Sequence, residues 1–421
     1  MEYKSYKGNG FNVYTIKTDK FKICHMEVIF RSNVDKKTLT KRAFLCDMLM
    51  RSSKKYPTRT KVGIALEELY NTHMYGVISK VGNTLFSTYC LSFLNPKYTE
   101  KSVTKKAMGM LFEMLDNPNI KDNAFDKDSF NIVRNNLKAD IIAQKENSLG
   151  FAIRRMLYHL DKDSPSSFSV NGYLKDLEAI TEENLVSIYN EAMENDACDI
   201  YLIGNLDMDE CVSHINKMFE RERKKKEEIV LYAKNKKAKK IQKVNEKDKF
   251  QQANLVVGCN IDKLTEREKN LVVHVYNVIL GTGSMETKLF KYLRAQNSLC
   301  YTTRSLYQKY DNLLILYAGI DPSSYQLSVD LMKKALQEMK DGVISEEELE
   351  NAKALLKSSL GMTYDNPGGL INNYLFENID NLPRLELRIK EIMSVTKEEV
   401  QKIAKKVKIN TIYMLSDGDE E

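Results

Sequence analysis

The sequence has few of the features that mark a disulfide scaffold or a membrane protein. Its seven cysteines are scattered and include no Cys-x-x-Cys pair, which indicates small buried hydrophobes in a reducing compartment rather than a disulfide or zinc framework. No run of about 18 apolar residues occurs, and residues 1–21 contain no apolar signal-peptide core. We therefore expect a cytoplasmic protein without a membrane span.

Motifs of the common enzyme classes are also missing. The sequence contains no P-loop, no dinucleotide-binding Gly-x-Gly-x-x-Gly, no nucleophile elbow and no His-Glu-x-x-His. Histidines occur only at positions 25, 73, 159, 214 and 274, and no two are three or four residues apart. A metal-binding pair on one helix face is thereby excluded. Each histidine is expected to be a surface residue or a hydrogen-bonded core residue, because a zinc site would need donors from distant segments.

What is present is a long, mixed-charge globular sequence. At 421 residues the chain is too long for one ordinary core and predicts at least two domains. Its 64 basic and 58 acidic residues give a net charge of +6 and are interspersed, which makes nucleic acid an improbable partner. The glycine-rich turn at 281–285 has backbone N–H groups that a phosphate can use, but such a turn is more often only a strand-to-helix corner.

The chain repeats itself. The segment VIFRSNVDKKTLT (28–40) is echoed by LVVGCNIDKLT (255–265), and three further pairs of similar segments follow in the same order, at offsets of about 210 to 230 residues. Collinear echoes of this kind indicate a duplicated domain. We predict an N-terminal domain over residues 1–222 and a C-terminal domain over residues 249–421. The charged stretch 223–248 between them is predicted to be a solvated linker with room for one short strand.

The predicted fold class is α+β, with two similar domains that each place helices against a largely antiparallel sheet. Segments 83–94 and 312–321 alternate partly between apolar and polar residues, as strands covered on one face do. Ser345 with Glu348, and Thr396 with Glu399, have the spacing of capping boxes at helix starts.

The segment RAFLCDMLMRSS (42–53) has helical apolar spacing and places Ala43, Cys46 and Asp47 on one face. This helix, the strands around it and the later segment LFKYLRAQNSLCYTTRS (289–305) resemble the M16 (insulinase or mitochondrial-processing-peptidase-like) family over essentially the whole chain. The resemblance implies the LuxS/MPP-like metallohydrolase fold. Active members of the family hold zinc with an inverted His-x-x-Glu-His helix.

When this helix is aligned with the family's motif, the two histidine positions correspond to Ala43 and Asp47, and the position of the general-base glutamate corresponds to Cys46. The family's third ligand, a glutamate on a later helix, aligns near Val133, with Asp140 two turns beyond it. Ala43 has no donor atom, and Cys46 and Asp47 diverge by about 100° around the helix. The resemblance therefore implies a chain that has lost the family's zinc site and binds no metal of its own.

The second half of the chain contains a pair of residues that resembles a substrate-binding pair of the family's active members. Active members use an arginine and a tyrosine seven residues apart near the substrate, and Arg294 and Tyr301 stand here at that spacing, with Cys300 where glycine or alanine is common. A guanidinium and a phenol both donate hydrogen bonds, so they can hold a scissile carbonyl or its developing oxyanion.

Three hypotheses follow. In the first, the chain is the inactive subunit of a heterodimeric zinc peptidase. It supplies Arg294, Tyr301 and chamber wall, while an HxxEH partner subunit carries the zinc. In the second, it is a purely structural or peptide-binding protein with no role in proteolysis. The third, a homodimeric enzyme using Cys46 and Asp47, is weaker, because no histidine lies within a helical turn to activate the thiol.

Overall fold

The computed structural model describes residues 1–219, 221, 227–250, 252–283 and 285–418. Within them, thirteen strands are formed: β1 Glu2–Lys7, β2 Asn12–Lys17, β3 Ile23–Asn33, β4 His73–Val81, β5 Thr84–Leu94, β6 Ile120–Lys121, β7 Ala124–Phe125, β8 Ala197–Gly204, β9 Gln242–Asp248, β10 Ala253–Ile261, β11 Cys300–Gln308, β12 Leu313–Ile320 and β13 Val407–Asp417.

Fourteen α-helices are formed in the same described ranges: α1 Leu39–Leu49, α2 Arg59–Glu68, α3 Ser102–Asp116, α4 Lys127–Ala143, α5 Ser148–Leu160, α6 Leu174–Glu178, α7 Glu182–Asn195, α8 Met208–Met218, α9 Val273–Gly281, α10 Tyr325–Asp341, α11 Glu346–Met362, α12 Pro367–Ile379, α13 Leu385–Ile392 and α14 Lys397–Lys406. Two π-helical stretches, Glu268–Val272 and Phe290–Ala295, belong to the second half. No helix among the described residues combines the length and apolar character needed to cross a membrane.

The chain divides into two compact units. The first comprises residues 1–143 and 169–231, and the second comprises residues 144–168 and 232–421. Residues 144–168, which carry α5, therefore pack with the second unit although they fall inside the range 1–222 predicted for the N-terminal domain. The predicted linker 223–248 contains one strand, β9, at its C-terminal end, and its residues 223–226 lie outside the described part of the chain.

The first unit is built on a six-stranded sheet. Its strand order is β1-β2-β8-β3-β5-β4, and every neighbouring pair is antiparallel except β2 with β8. Side chains of β3 alternate between the two faces of the sheet. Those at Cys24, Met26 and Val28 enter the core under the helices, which leaves His25 and Glu27 on the opposite face.

The second unit repeats this plan. Its strand order is β11-β12-β10-β13-β9, again antiparallel except for one parallel pair, β13 with β9. The second sheet has the same order of neighbouring strands and the same strand directions as the first. In that order, its strands β9, β13, β10, β12 and β11 correspond to β2, β8, β3, β5 and β4. The predicted duplication and the α+β class are thereby confirmed. Among the described residues, β1 has no counterpart in the second sheet.

Helix α5 covers the second sheet on the face away from the main core of that unit. Its side chains Ala152 and Met156 pack against Val256 on β10 and Tyr413 on β13. The close approach depends on Gly258, because a Cβ built there would lie 2.5 Å from the sulfur of Met156. The helix begins at a sequence-encoded cap, with the Asn147 carboxamide oxygen accepting from the Gly150 N–H at 2.9 Å.

Both predicted capping boxes are present. The Ser345 hydroxyl accepts from the Glu348 N–H at 3.0 Å, and the Glu348 carboxylate accepts in return from the Ser345 N–H at 2.8 Å. Thr396 and Glu399 make the same reciprocal pair at the start of α14. Local sequence therefore sets where α11 and α14 begin.

Candidate functional site

Helix α1 carries the degenerate motif and is held by structural contacts. The guanidinium of Arg42, 5% exposed, donates to the Asp196 carboxylate at 2.5 Å and to Glu191 at 3.0 Å. The buried pair with Asp196 connects α1 to the residue preceding β8, and the partly exposed pair with Glu191 connects it to α7. The apolar side chains of the helix face the first core. The helix is thus retained as part of the fold.

Its motif positions do not form a metal centre. Ala43 and Cys46 are 3% and 1% exposed and belong to the core, whereas Asp47 is exposed. A Cβ built on Gly76 of β4 would lie 2.7 Å from the Cys46 carbonyl oxygen and 2.9 Å from its sulfur, so the thiol is packed against the sheet. Burial raises the pKa of this thiol well above its usual value. A thiol that stays protonated at neutral pH is a poor nucleophile, and this one is packed among apolar core side chains with no imidazole of the described residues beside it.

The carboxylate that faces Asp47 comes from Asp140 on α4. The pKa of Asp47 is raised, first because neighbouring protein atoms partly desolvate its carboxyl group, although the residue is exposed overall, and then by repulsion from the Asp140 carboxylate. Val133, on which the family alignment placed the third ligand, is 1% exposed and lies in the core. Neither the buried methyl groups of Val133 nor the single carboxylate of Asp140 replaces the set of ligands that the motif helix lacks.

Zinc in this family's motif requires two imidazoles and a carboxylate. The positions here offer one methyl group, one buried thiol and two mutually repelling carboxylates. Zinc prefers nitrogen and sulfur donors in a closed tetrahedral set, and the observed residues do not provide one. The family's metal does not fit α1 and α4 of this chain.

Arg294 and Tyr301 are brought together. Arg294 Nη1 donates a hydrogen bond of 2.7 Å to the main-chain carbonyl oxygen of Tyr301. The guanidinium carbon also lies 5.9 Å from the centroid of the Tyr301 ring and 5.3 Å from that of Phe290, a cation–π arrangement. The Tyr301 side chain is 82% exposed. The phenol and part of the guanidinium are therefore available to a ligand.

The turn between the two residues explains their spacing. Arg294 lies in the π-helical stretch Phe290–Ala295, a geometry that is frequent at functional sites. The chain then reverses through Ser298, whose φ is +52°, and the Leu299 N–H donates to the Leu293 carbonyl at 2.7 Å. Strand β11 begins directly afterwards. The spacing of seven residues between Arg294 and Tyr301 therefore corresponds to one turn from the helix into the strand, which places the two side chains next to each other.

Strand β11 is an edge strand. It pairs with β12 on one side, and its pairing is irregular between Cys300 and Thr303. In the first unit β4 has the matching edge position beside β5. An open edge exposes backbone N–H and C=O groups to which an extended peptide can add as another strand. Tyr301 stands at the start of such an edge.

The glycine-rich turn at 281–285 is used internally where it is described. Asn277 Nδ2 donates to the Thr282 hydroxyl at 3.0 Å, and that hydroxyl donates to the Ser305 carbonyl. A Cβ at Gly283 would lie 2.5 Å from the Leu355 side chain. This favours a corner rather than a phosphate site, although Ser284 lies outside the described residues.

The histidines are dispersed as the sequence predicted. His159 contacts the Glu246 carboxylate at 2.7 Å, and His214 contacts the Lys105 carbonyl at 3.3 Å. His274 packs edge-on against Tyr307. His25 differs, because its ring contacts Glu27 at 3.0 Å and lies beside a cysteine of the next strand. The i, i+2 spacing of His25 and Glu27 in a strand was the only local signal of that group.

Comparisons with known proteins concern the chain as a whole and its fold. Residues 179–356 match the family model of the peptidase M16 inactive domain. A probable inactive metalloprotease of Bacillus subtilis is 27% identical over 415 residues, which cover 97% of this chain and 96% of that protein. The crystal structure of a conserved protein from Enterococcus faecalis is similar over 100% of both chains, with 25% identity and a TM-score of 0.92.

A more distant structure shows the fold alone. The peptidase M16 inactive domain from Pseudomonas fluorescens has a TM-score of 0.81 at 16% identity, over 100% of both chains. The architecture is therefore shared well beyond the range in which sequence identity is informative.

Proposed function

Because the chain belongs to the M16 peptidase family, we propose that it is the catalytically inactive subunit of a two-chain zinc peptidase. It supplies Arg294 and Tyr301 as a substrate-binding pair, together with part of the chamber wall. A similar subunit with an intact HxxEH helix is the partner and holds the zinc. The observation that carries the proposal is the contact between Arg294 and Tyr301 at the exposed start of β11, in a chain whose α1 has no ligand set.

The chemistry divides between the two chains. Zinc in the partner, when bound, activates water for attack on a peptide bond. In this chain, a peptide adds to the free edge of β11, where backbone hydrogen bonds fix its register. The Tyr301 phenol and the outward N–H groups of Arg294 then donate to a substrate carbonyl oxygen. Donors placed where negative charge develops in the transition state lower the barrier to hydrolysis.

The internal hydrogen bond of Arg294 supports this role. Since Nη1 is engaged by the Tyr301 carbonyl, the guanidinium is held in one orientation before any substrate arrives. Preorganised donors spend no free energy on reorientation in the transition state. Phe290 under the guanidinium restricts it further.

The test is reconstitution. The chain alone is expected to show no peptidase activity, and activity should appear when it is mixed with the HxxEH-bearing subunit, with a 1:1 complex seen by light scattering. Arg294→Ala and Tyr301→Phe should each lower kcat/KM by about 10²-fold without changing assembly. Lys291→Ala, in the same π-helical stretch and exposed, is the matched control. Zinc held by α1 in the isolated chain, or unchanged rates in both variants, would contradict the proposal.

A second candidate is a peptide-binding protein without a role in proteolysis. The open edges of β4 and β11 favour it, since strand addition needs backbone groups alone. In that case peptide binding by the isolated chain would persist in Tyr301→Phe, and no mixture would hydrolyse the bound peptide. The third hypothesis, a site made from Cys46 and Asp47, has no support in the geometry, because Cys46 is buried in the core.

A further inference from the structure

A group of metal-type donors lies in the first unit, on the sheet face opposite its helices. His25 and Glu27 are two residues apart on β3, so their side chains share a face. Cys90 on β5 is directly opposite Glu27 in the register. One ligand atom from each residue lies within 4.8 Å of the others. Among the described residues this is the one group of three such donors so close together.

We propose that His25, Glu27 and Cys90 bind one zinc ion, at a site separate from the degenerate motif on α1. The ligands are His25 Nε2, a Glu27 carboxylate oxygen and Cys90 Sγ. Zinc takes all three donor types with bonds of about 2.0 to 2.3 Å. Three protein ligands leave the fourth tetrahedral position open to water or to an external ligand.

Both ring nitrogens of His25 have polar neighbours, and metal binding needs the tautomer that carries its proton on Nδ1. His25 Nδ1 lies 2.7 Å from the Ser92 hydroxyl, and Nε2 lies 3.0 Å from Glu27 Oε1. If Nδ1–H donates to Ser92, the lone pair of Nε2 points toward the other two donors. A hydrogen bond from the distal ring nitrogen is the usual support of a metal-bound histidine. Ser92 is therefore a positioning residue.

The burial and the charges of the group suit a divalent cation. His25 and Cys90 are 8% and 5% exposed, so the group is largely shielded from water. A neutral imidazole, a carboxylate and a thiolate carry two negative charges, which Zn²⁺ balances. Binding replaces the S–H bond with a zinc–sulfur bond and releases the proton to solvent, with no change of oxidation state.

Tyr75 borders the open side of the group. It is opposite Cys90 on β4, hydrogen bonds to that thiol and is 47% exposed. Tyr75 therefore connects the group with solvent at the edge strand of the sheet. The donor atoms need to approach one another by roughly 1 Å to match tetrahedral zinc.

The experiment uses the full chain alone, titrated with Zn²⁺ against a chromophoric chelator, and with Co²⁺ for its absorption spectrum. We expect one equivalent of zinc and a thiolate-to-cobalt charge-transfer band. Cys90→Ser should abolish the band, and His25→Gln should weaken zinc binding at least about tenfold. Ser92→Ala should weaken binding less and leave the band in place.

Cys46→Ser is the matched control, because that thiol is equally buried in the same unit but lies on α1. It should leave zinc binding unchanged. Absence of binding, binding that survives Cys90→Ser, or binding lost in Cys46→Ser would each overturn the proposal. Thermal unfolding of the metal-free variants checks the fold, and Glu27→Gln, which keeps the side-chain size, replaces Cys90→Ser if that variant does not fold. None of these outcomes bears on the role of Arg294 and Tyr301.

Discussion

Arg294 donates a hydrogen bond from Nη1 to the carbonyl oxygen of Tyr301 at 2.7 Å, while the Tyr301 side chain is 82% exposed. Arg294 thus holds the main chain of Tyr301 in place, and the Tyr301 phenol lies beside the guanidinium. The two residues form one unit rather than two independent donors, and this coupling can be measured.

The first prediction concerns that coupling. In the reconstituted complex, the double variant Arg294→Ala/Tyr301→Phe should lose less in kcat/KM than the product of the two single losses, because removing Arg294 already displaces Tyr301. The measurement is a double-mutant cycle on kcat/KM. Losses that multiply independently would show that the hydrogen bond has no role in positioning.

The second prediction concerns the motif helix. Cys46→Glu should lower the free energy of unfolding by roughly 2 to 4 kcal/mol, because it places a carboxylate in a core position with no partner. Asp47→His, one residue away and exposed, should change it by less than about 0.5 kcal/mol. Urea denaturation of the metal-free chain measures both. Equal effects at the two positions would mean that residue 46 is not packed as observed.

The third prediction concerns the docking of α5 on the second sheet. Gly258→Ala should destabilise the protein by about 1 to 3 kcal/mol, because its Cβ would overlap the Met156 sulfur, 2.5 Å away. Gly63→Ala is the control, since a Cβ there meets nothing within 4 Å in the middle of α2, and it should stabilise by about 0.5 to 1 kcal/mol. Denaturant midpoints compare the two. The same sign of change at both positions would refute this packing argument.

The fourth prediction concerns pH. Burial alone would raise the pKa of Glu246, but hydrogen bonds from Arg155, Tyr413 and His159 lower it to about 2. An unfolded glutamate titrates near 4.3, so the carboxylate contributes stability above about pH 4.3, and this contribution is lost as the pH falls toward 2.

Glu246→Gln should therefore be less stable than the unchanged protein by about 1 kcal/mol at pH 7, a value that allows for partial exposure. The difference should shrink as the pH falls through 4. Thermal or denaturant unfolding across pH measures it, with Glu178→Gln, an exposed carboxylate, as the control. A difference that does not depend on pH would mean that the charge of Glu246 is not what stabilises the contact.

Much of the fold was predictable because its signals are local or repeated. The collinear echoes predicted two similar halves, and the strand orders of the two sheets confirm them. The capping boxes at Ser345 and Thr396 are predictable and are confirmed, since a cap depends on residues three apart. The loss of a donor at Ala43 needed no structure at all.

The site was less predictable where it depends on packing between distant segments. The alignment puts the lost third ligand near Val133, and only the structure shows that this residue is buried in the core and that the Asp140 carboxylate acts on Asp47. The segment 144–168 could not be assigned to the second unit from its sequence, because its amphipathic face suits either sheet. Neither outcome has a local signal.

The sequence by itself determined the duplicated α+β plan, the absence of the family's zinc ligands and the seven-residue spacing of Arg294 and Tyr301, because each depends on residue identity and short-range pattern. Only the tertiary structure decided that His25, Glu27 and Cys90 meet on one sheet face and that α5 joins the second sheet. Strand register and helix docking depend on contacts between residues far apart in the chain, and their free energy belongs to the folded assembly rather than to any one segment.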